Sequence, residues 1–326
     1  MTLIKRNSTW IVIITAIVAI LFFVMILHNI SISRQLNEAN SEITKLTKQL
    51  AAEALQHCEQ TYQWQSNQSY STTLISGGIP RRYRVHTPPS YTSDQRYPVI
   101  VAFDGLNGTS ERAEHESGLN NTPALTVYPD AYEDAAGVRA WQGAPYSPAG
   151  VNDVQFVDEI LTRISQDYCI DSEKVYAVGM SNGAGIAFLA ACELKDRITG
   201  VAGISGAYYM PCRHGQYVQK KMLIVHSFDD ELTPYTGSIF KGLPPIYDFA
   251  RTRSRDNGCK QVSIAQSVTI ERYDWTRCRE NRQVSLIVAH RQSHGWLHIS
   301  DMSLVPDGSL ARRTTSAMIW DFFTKA

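Results

Sequence analysis

From Cys58 onward, short apolar runs alternate with stretches of helical period. Residues Pro98–Phe103, Leu125–Tyr128, Lys174–Val178, Gly200–Ile204, Lys221–Val225 and Val284–Val288 are short, often β-branched and bounded by polar or turn residues. Runs of this kind predict strands covered on both faces, the habit of parallel sheets. Between them Val157, Ile160, Leu161 and Ile164 recur at the spacing of one helix face. Residues 184–194 are apolar nearly all round and predict a buried helix, while Met318, Ile319, Phe322 and Phe323 form a C-terminal stripe. Strand–helix alternation predicts one doubly wound α/β domain over residues 58–326, with a mostly parallel sheet.

The N-terminal pattern is different. Trp10–Leu27 carries no charge, follows Lys5 and Arg6, and as a helix would reach roughly 27 Å, close to the ~30 Å hydrocarbon core of a bilayer. No A-x-A-like cleavage site follows. The expectation is a cytoplasmic tail (1–8), a transmembrane signal-anchor (9–28) and an outward-facing remainder, periplasmic or extracellular, by the positive-inside rule. The alternative is secretion after signal cleavage. Ile32, Leu36, Ala39, Ile43, Leu46 and Leu50 then fall at a/d heptad spacing, so residues 29–57 predict a helical stalk. It is either a short coiled coil joining copies of the chain into a homo-oligomer or a lone amphipathic helix.

Composition narrows the function classes. A chain of 326 residues with 44% hydrophobic positions can bury a large core. Lys plus Arg number 31 and Asp plus Glu 31, a balance without the electrostatic footprint of a nucleic-acid binder. The six cysteines lack metal-ligand spacing and all follow the apolar N-terminal run, which points to disulfides rather than a metal site.

The chemistry concentrates after the third predicted strand. Gly179-Met-Ser-Asn-Gly183 is a G-x-S-x-G sequence between a strand and a buried helix, the context of a nucleophile on a tight turn. Ser181 would stand at the carboxyl edge of the sheet, and the Asn182 N–H would face a developing oxyanion. A serine hydroxyl needs a base, and the base needs a carboxylate to hold its tautomer. In the order Ser, acid, His, the candidates are Asp229 or Asp230, then His290, His294 or His298. Spacing leaves both choices open.

Gly179-Met-Ser-Asn-Gly-Ala184 and His226-Ser-Phe-Asp-Asp-Glu-Leu-Thr-Pro-Tyr235, together with Trp141-Gln-Gly-Ala-Pro-Tyr-Ser147, Gly150-Val-Asn-Asp-Val154, Tyr128-Pro-Asp130 and Asp256-Asn-Gly-Cys259, resemble the feruloyl esterase and polyhydroxybutyrate depolymerase family of secreted α/β-hydrolases. The resemblance runs from about Arg82 to the C-terminus. It implies an α/β-hydrolase fold, Asp230 as the acid, His294 of the Gly-His-x-Trp-like segment as the base, and the N–H of Leu106 as the second oxyanion donor. Asp104 stands where the family usually has His, which brings a carboxylate to the oxyanion loop; Ser227, Leu297 and Ala140 also depart from the family pattern.

The same resemblance implies a serine carboxylesterase without a cofactor. Its substrates would be hydroxycinnamoyl esters of polysaccharide or short polyhydroxyalkanoate esters. Trp141 and Trp296 read either as lining a substrate groove or as partly buried packing residues. The resemblance also implies the disulfides Cys58–Cys169, Cys192–Cys212 and Cys259–Cys278. A deacetylase or peptidase on the same scaffold, and an inactive tethered binding module, are the alternatives. Asp153, just before the helix at Val154, reads as an N-cap.

Overall fold

The computed structural model describes residues 25–43, 45–46, 64–209, 212, 219–297, 299 and 314–325. The chain divides into two units, Met1–Cys58 and Glu59–Ala326. In the first, residues 25–43 and 45–46 form helix α1, exposed throughout; Ile32, Leu36, Ile43 and Leu46 of the heptad pattern show their side chains to solvent. Most of the apolar run Trp10–Leu27, and Leu50, lie outside the described residues. Among the described residues no helix is long and apolar enough to cross a membrane.

The second unit is built on a ten-stranded sheet in the order β1-β2-β4-β3-β5-β6-β7-β10-β9-β8. The strands are β1 (Ser69–Ser76), β2 (Ile79–His86), β3 (Tyr97–Phe103), β4 (Leu125–Pro129), β5 (Ile170–Met180), β6 (Gly200–Ile204), β7 (Lys221–Ser227), β8 (Gln261–Gln266), β9 (Ile270–Thr276) and β10 (Val284–Ala289). From β4 through β3, β5, β6 and β7 to β10 the pairing is parallel, and these are the six strands the apolar runs predicted. Antiparallel hairpins flank them on both sides: β1 and β2 beyond β4, and β9 and β8 beyond β10. The hairpins escaped the sequence pattern because an edge strand need not be apolar; all six residues of β8 are exposed.

Period-two alternation in the central strands feeds two cores. Val99, Val101 and Phe103 of β3 join Ala177 of β5 and Val201 of β6 against α3 (Asp153–Asp167), α4 (Asn182–Glu193) and α5 (Ile246–Asp256). Ile100, Ala102, Val178 and Ala202 face the other way, onto Ala113 of α2 (Ser110–Ser117) and Ile319 and Phe323 of α6 (Thr315–Thr324). The sheet is therefore sandwiched between helical layers, and its loops remain free to carry chemistry.

One local expectation changes. Asn152 caps α3, its side chain accepting from Gln155 N at 3.1 Å, whereas Asp153 is the first helical residue and lies buried in an ion pair with Arg81 at 2.7 Å. A carboxylate there answers a buried guanidinium rather than the helix end. Disulfides join Cys192 to Cys212 and Cys259 to Cys278, as the resemblance implied; Cys58 lies outside the described residues, so the pairing with Cys169 stays an expectation.

Candidate active site

β5 ends at Met180 and α4 begins at Asn182, leaving Ser181 alone to reverse the chain, with φ +55° and ψ −122°. A non-glycine residue held there stores about 1–3 kcal/mol of strain. The flanking glycines are steric necessities. A Cβ on Gly179 would sit 2.0 Å from the Gly183 carbonyl oxygen, and one on Gly183 would sit 2.3 Å from that of Phe103. Ser181 N donates to Ile204 O at 2.9 Å, and its carbonyl accepts from Ala207 N at 3.0 Å, so neighbouring strands hold the strained turn. At the carboxyl edge of the sheet Ser181 is only 9% exposed, and what it faces is a cavity.

The loops after β7 and β10 bring Asp230 and His294 together. His294 Nδ1 lies 2.8 Å from Asp230 Oδ2, and the Asp230 carboxylate is fully buried. Thr233 completes its shell: the amide donates to Oδ1 at 2.8 Å and the hydroxyl to Oδ2 at 2.9 Å, while Leu232 N reaches Oδ1 at 3.0 Å. Burial opposes ionisation of Asp230, but the hydrogen bonds from His294 and Thr233 and the nearby His294 and His226 outweigh it, so its pKa falls below the ordinary carboxylate value. An anionic carboxylate at Nδ1 fixes the ring as the Nδ1–H tautomer and leaves Nε2 as a base.

The rival residues are occupied elsewhere. Asp229 Oδ2 accepts from Arg291 N at 2.7 Å, and His290 Nε2 lies 3.1 Å from Glu271 Oε1; His298 lies outside the described residues. His226 is fully buried beside the acid, with Nε2 2.7 Å from Thr233 O, so Nε2–H donates to that carbonyl. Burial is the largest influence on this ring and lowers its pKa.

Sequence reasoning missed the small polar residues that tie the three loops. Ser205 Oγ donates to Gly295 O at 3.0 Å, and Ser205 O lies 3.1 Å from Thr233 Oγ1, sharing that hydroxyl with Asp230. Ser227, one of the departures from the family pattern, donates to Gln292 O at 2.5 Å and so binds the acid loop to the base loop. Serine and threonine are common everywhere, and the only available signal was their place beside the candidate acid and nucleophile.

The loop expected to carry the second oxyanion donor follows β3. The Asp104 carboxylate accepts Arg112 Nε at 2.6 Å and Nη2 at 3.0 Å, and also Gly105 N at 2.8 Å. Its charge is therefore paired, and Gly105 N is consumed. Among the described residues neither Leu106 N nor Asn182 N donates a backbone hydrogen bond, which leaves both available. Trp141 locks the two loops together: its N donates to Asn182 Oδ1 at 2.7 Å and its indole N–H to Asp104 O at 2.8 Å. Its own segment is pinned by the buried Asp153, whose Oδ2 accepts Gln142 N at 2.7 Å.

Ser181, His294, Gly105 and Leu106 line one cavity of about 720 Å³, walled by Tyr146, Tyr209, Leu232 and Phe240. Trp141 and Trp296 do not line it, and of their two readings packing is the one that fits. Trp141 is buried edge-on against Phe103, and Trp296 packs in the core with Ile299 and Ile319. The aromatic wall comes from Tyr146, inside the matched segment 141–147, and from Tyr209 and Phe240, which no motif marks.

A parallel sheet sandwiched by helices, a strained serine turn at its carboxyl edge and a carboxylate-bound histidine over the same cavity define an α/β-hydrolase. Residues 76–300 match the Esterase family model, described as "Putative esterase"; the chain belongs to this family and is a carboxylic ester hydrolase. Feruloyl esterase D of Neurospora crassa is 31% identical over 154 residues, 44% of this chain and 51% of that one. The Aspergillus terreus protein named "Probable feruloyl esterase C" is 26% identical over 252 residues, covering 76% and 84%. Among solved structures, an acetyl xylan esterase from Aspergillus awamori superposes with a TM-score of 0.52 at 15% identity, over 69% of this chain and 94% of that one; a ferulic acid esterase gives 0.50 at 15%, over 71% and 92%. At such identities the solved structures speak for the fold.

Proposed function

We propose that the chain is a serine carboxylesterase in which Ser181 attacks the ester carbonyl, His294 accepts the hydroxyl proton and returns it to the leaving alcohol, and Asp230 orients His294 and stabilises its imidazolium. Water, activated by the same His294, then hydrolyses the acyl-Ser181 ester. Leu106 N and Asn182 N stabilise the oxyanion in both steps. The observation that carries this reading is the convergence of the strained Ser181 and the Asp230-bound His294 on one cavity. Among the described residues the Ser181 hydroxyl makes no hydrogen bond; in this reading it meets His294 Nε2 when substrate enters, since catalytic hydrogen bonds often form only in the complex.

The substrate we propose is a hydroxycinnamoyl ester of polysaccharide. A cavity of about 720 Å³ walled by Tyr146, Tyr209, Leu232 and Phe240 supports a flat aromatic acyl group over acetyl, and the relatives' names point the same way. Short polyhydroxyalkanoate esters are the second substrate class. An inactive binding module loses its main support, because the Asp104 carboxylate is neutralised by Arg112. A panel of feruloyl, acetyl and 3-hydroxybutyryl esters tests the assignment. The expected result is the highest kcat/KM on the feruloyl ester; acetyl preferred over feruloyl would overturn it.

On sequence alone we further propose that residues 9–28 tether the hydrolase unit outside the cytoplasm through the stalk at 29–57. Protease added to spheroplasts should then release a fragment near the size of residues 58–326, and a protein already free in the medium would favour a cleaved signal.

A further inference from the structure

The candidate active site lies beyond the carboxyl ends of β5, β7 and β10. At the amino end of β10, where α5 turns into β8 and β9 turns into β10, lies a second concavity of about 470 Å³. Its walls are Arg255, Lys260, Arg277 and Arg279 around Gly258 and the Cys259–Cys278 disulfide, and no carboxylate lines it. The acids of the same segments serve other arginines: Asp256 pairs with Arg253 at 3.1 Å, and Glu280 pairs with Arg282. Among the described residues none of the four lining cations is in an ion pair, although the chain as a whole is electrically balanced.

The concavity is built rather than incidental. The disulfide staples the two loops, and Arg279 N donates to Asn257 O at 3.0 Å. The Arg279 side chain lies across Gly258, where a Cβ would come within 2.9 Å of its Nε. Arg277 is held in the left-handed region at φ +53°. The C-terminal dipole of α5 accounts for a cation at Arg255, but not for Lys260, Arg277 and Arg279, which belong to the following loops. Four like charges gathered without counter-ions repel one another, and a bound anion relieves that cost. Guanidinium forks match planar carboxylates bidentately.

We infer that this concavity binds the carboxylate groups of an acidic polysaccharide, of the uronic-acid type. Its occupant is a chain rather than a bilayer surface because the cations ring an open recess between two disulfide-linked loops instead of lying on one flat face. The inference rests on the reading that the hydrolysed ester is carried on a polysaccharide: one edge of the sheet would then grip the carrier while the other cleaves its ester.

The test is titration calorimetry of the full chain with oligogalacturonate at low salt. Neutral xylo-oligosaccharide and vesicles containing anionic phospholipid are the comparison probes. Oligogalacturonate alone should bind, with an affinity that falls as salt rises. The variant combining Arg255→Gln, Lys260→Gln, Arg277→Gln and Arg279→Gln should lose at least about 10-fold in affinity while keeping its melting temperature and its rate on a soluble ester. Single Arg279→Glu should lose affinity in the same direction. Unchanged affinity in the quadruple variant, equal binding of the neutral sugar, or binding of vesicles without oligogalacturonate would each overturn the inference. Ser181→Ala separates the two readings, since it should abolish hydrolysis and leave oligogalacturonate binding intact.

Discussion

The Ser181 turn and the loops carrying Asp230 and His294 reach the same cavity by different physics. Ser181 is placed by sterics: two glycines allow the chain to fold back with carbonyl groups within 2.3 Å of where a Cβ would stand. Asp230 and His294 are placed by side-chain hydrogen bonds routed through Thr233, Ser205 and Ser227. A steric constraint is all-or-none, whereas a hydrogen-bond network can be weakened one bond at a time. The turn should therefore fail by unfolding, and the loops by slowing.

That contrast orders the expected effects. Gly179→Ala should cost more than about 4 kcal/mol, or prevent folding, because the new methyl meets backbone that cannot move aside. Ser205→Ala should cost only about 1–3 kcal/mol, the value of a buried polar partner left unsatisfied. Urea titration of the two variants would break the contrast if their stabilities proved equal. Next in size is Asp230→Asn, expected to lower kcat by about 10³–10⁴-fold with little change in KM, since the amide would favour the wrong tautomer of His294. Thr233→Val removes one hydroxyl bond to the same carboxylate and should lower kcat about 5- to 10-fold. A Thr233→Val loss as large as that of Asp230→Asn would show that the network acts as one unit. Trp141→Phe keeps the ring against Phe103 but deletes the N–H bonded to Asp104 O, and a kcat loss of about 5- to 10-fold with the fold intact would place that bond in the alignment of the oxyanion loops.

The smallest effect concerns pH. Burial lowers the pKa of His226 in the folded protein from its ordinary 6.5, so below about pH 6.5 the unfolded chain binds a proton there that the folded chain refuses. Stability should fall as pH drops through that range, by at most about 1.4 kcal/mol per pH unit from this one group. Asp230, with its pKa depressed below 3.8, adds stability above that value that is lost at lower pH. Melting temperatures between pH 8 and 4 should show a shallower acid slope for His226→Gln; an identical slope would assign the loss to other groups.

The same contrast explains what the sequence makes legible. Steric demands leave a local trace: glycine on both sides of Ser181, and β-branched runs where a strand is covered twice, so β3 to β7, β10, α4 and the turn could be read directly. Hydrogen-bond placement leaves none. Asp229 and Asp230 are adjacent and chemically identical, and only their direction separates them, one toward Arg291 N and the other toward His294. Family resemblance, not spacing, chose between them. Trp141 stayed open between groove and core for a related reason: its role depends on residues 37 and 41 positions away. The antiparallel edges lacked a buried face to write a pattern.

The most direct measurement is labelling of the wild-type chain and of Ser181→Ala by a fluorophosphonate probe, with hydrolysis of a feruloyl ester followed in parallel. The wild type should be labelled and active, and the variant should be neither. Equal labelling of the two proteins, or feruloyl hydrolysis surviving in Ser181→Ala, would contradict the assignment of residue 181 as the nucleophile.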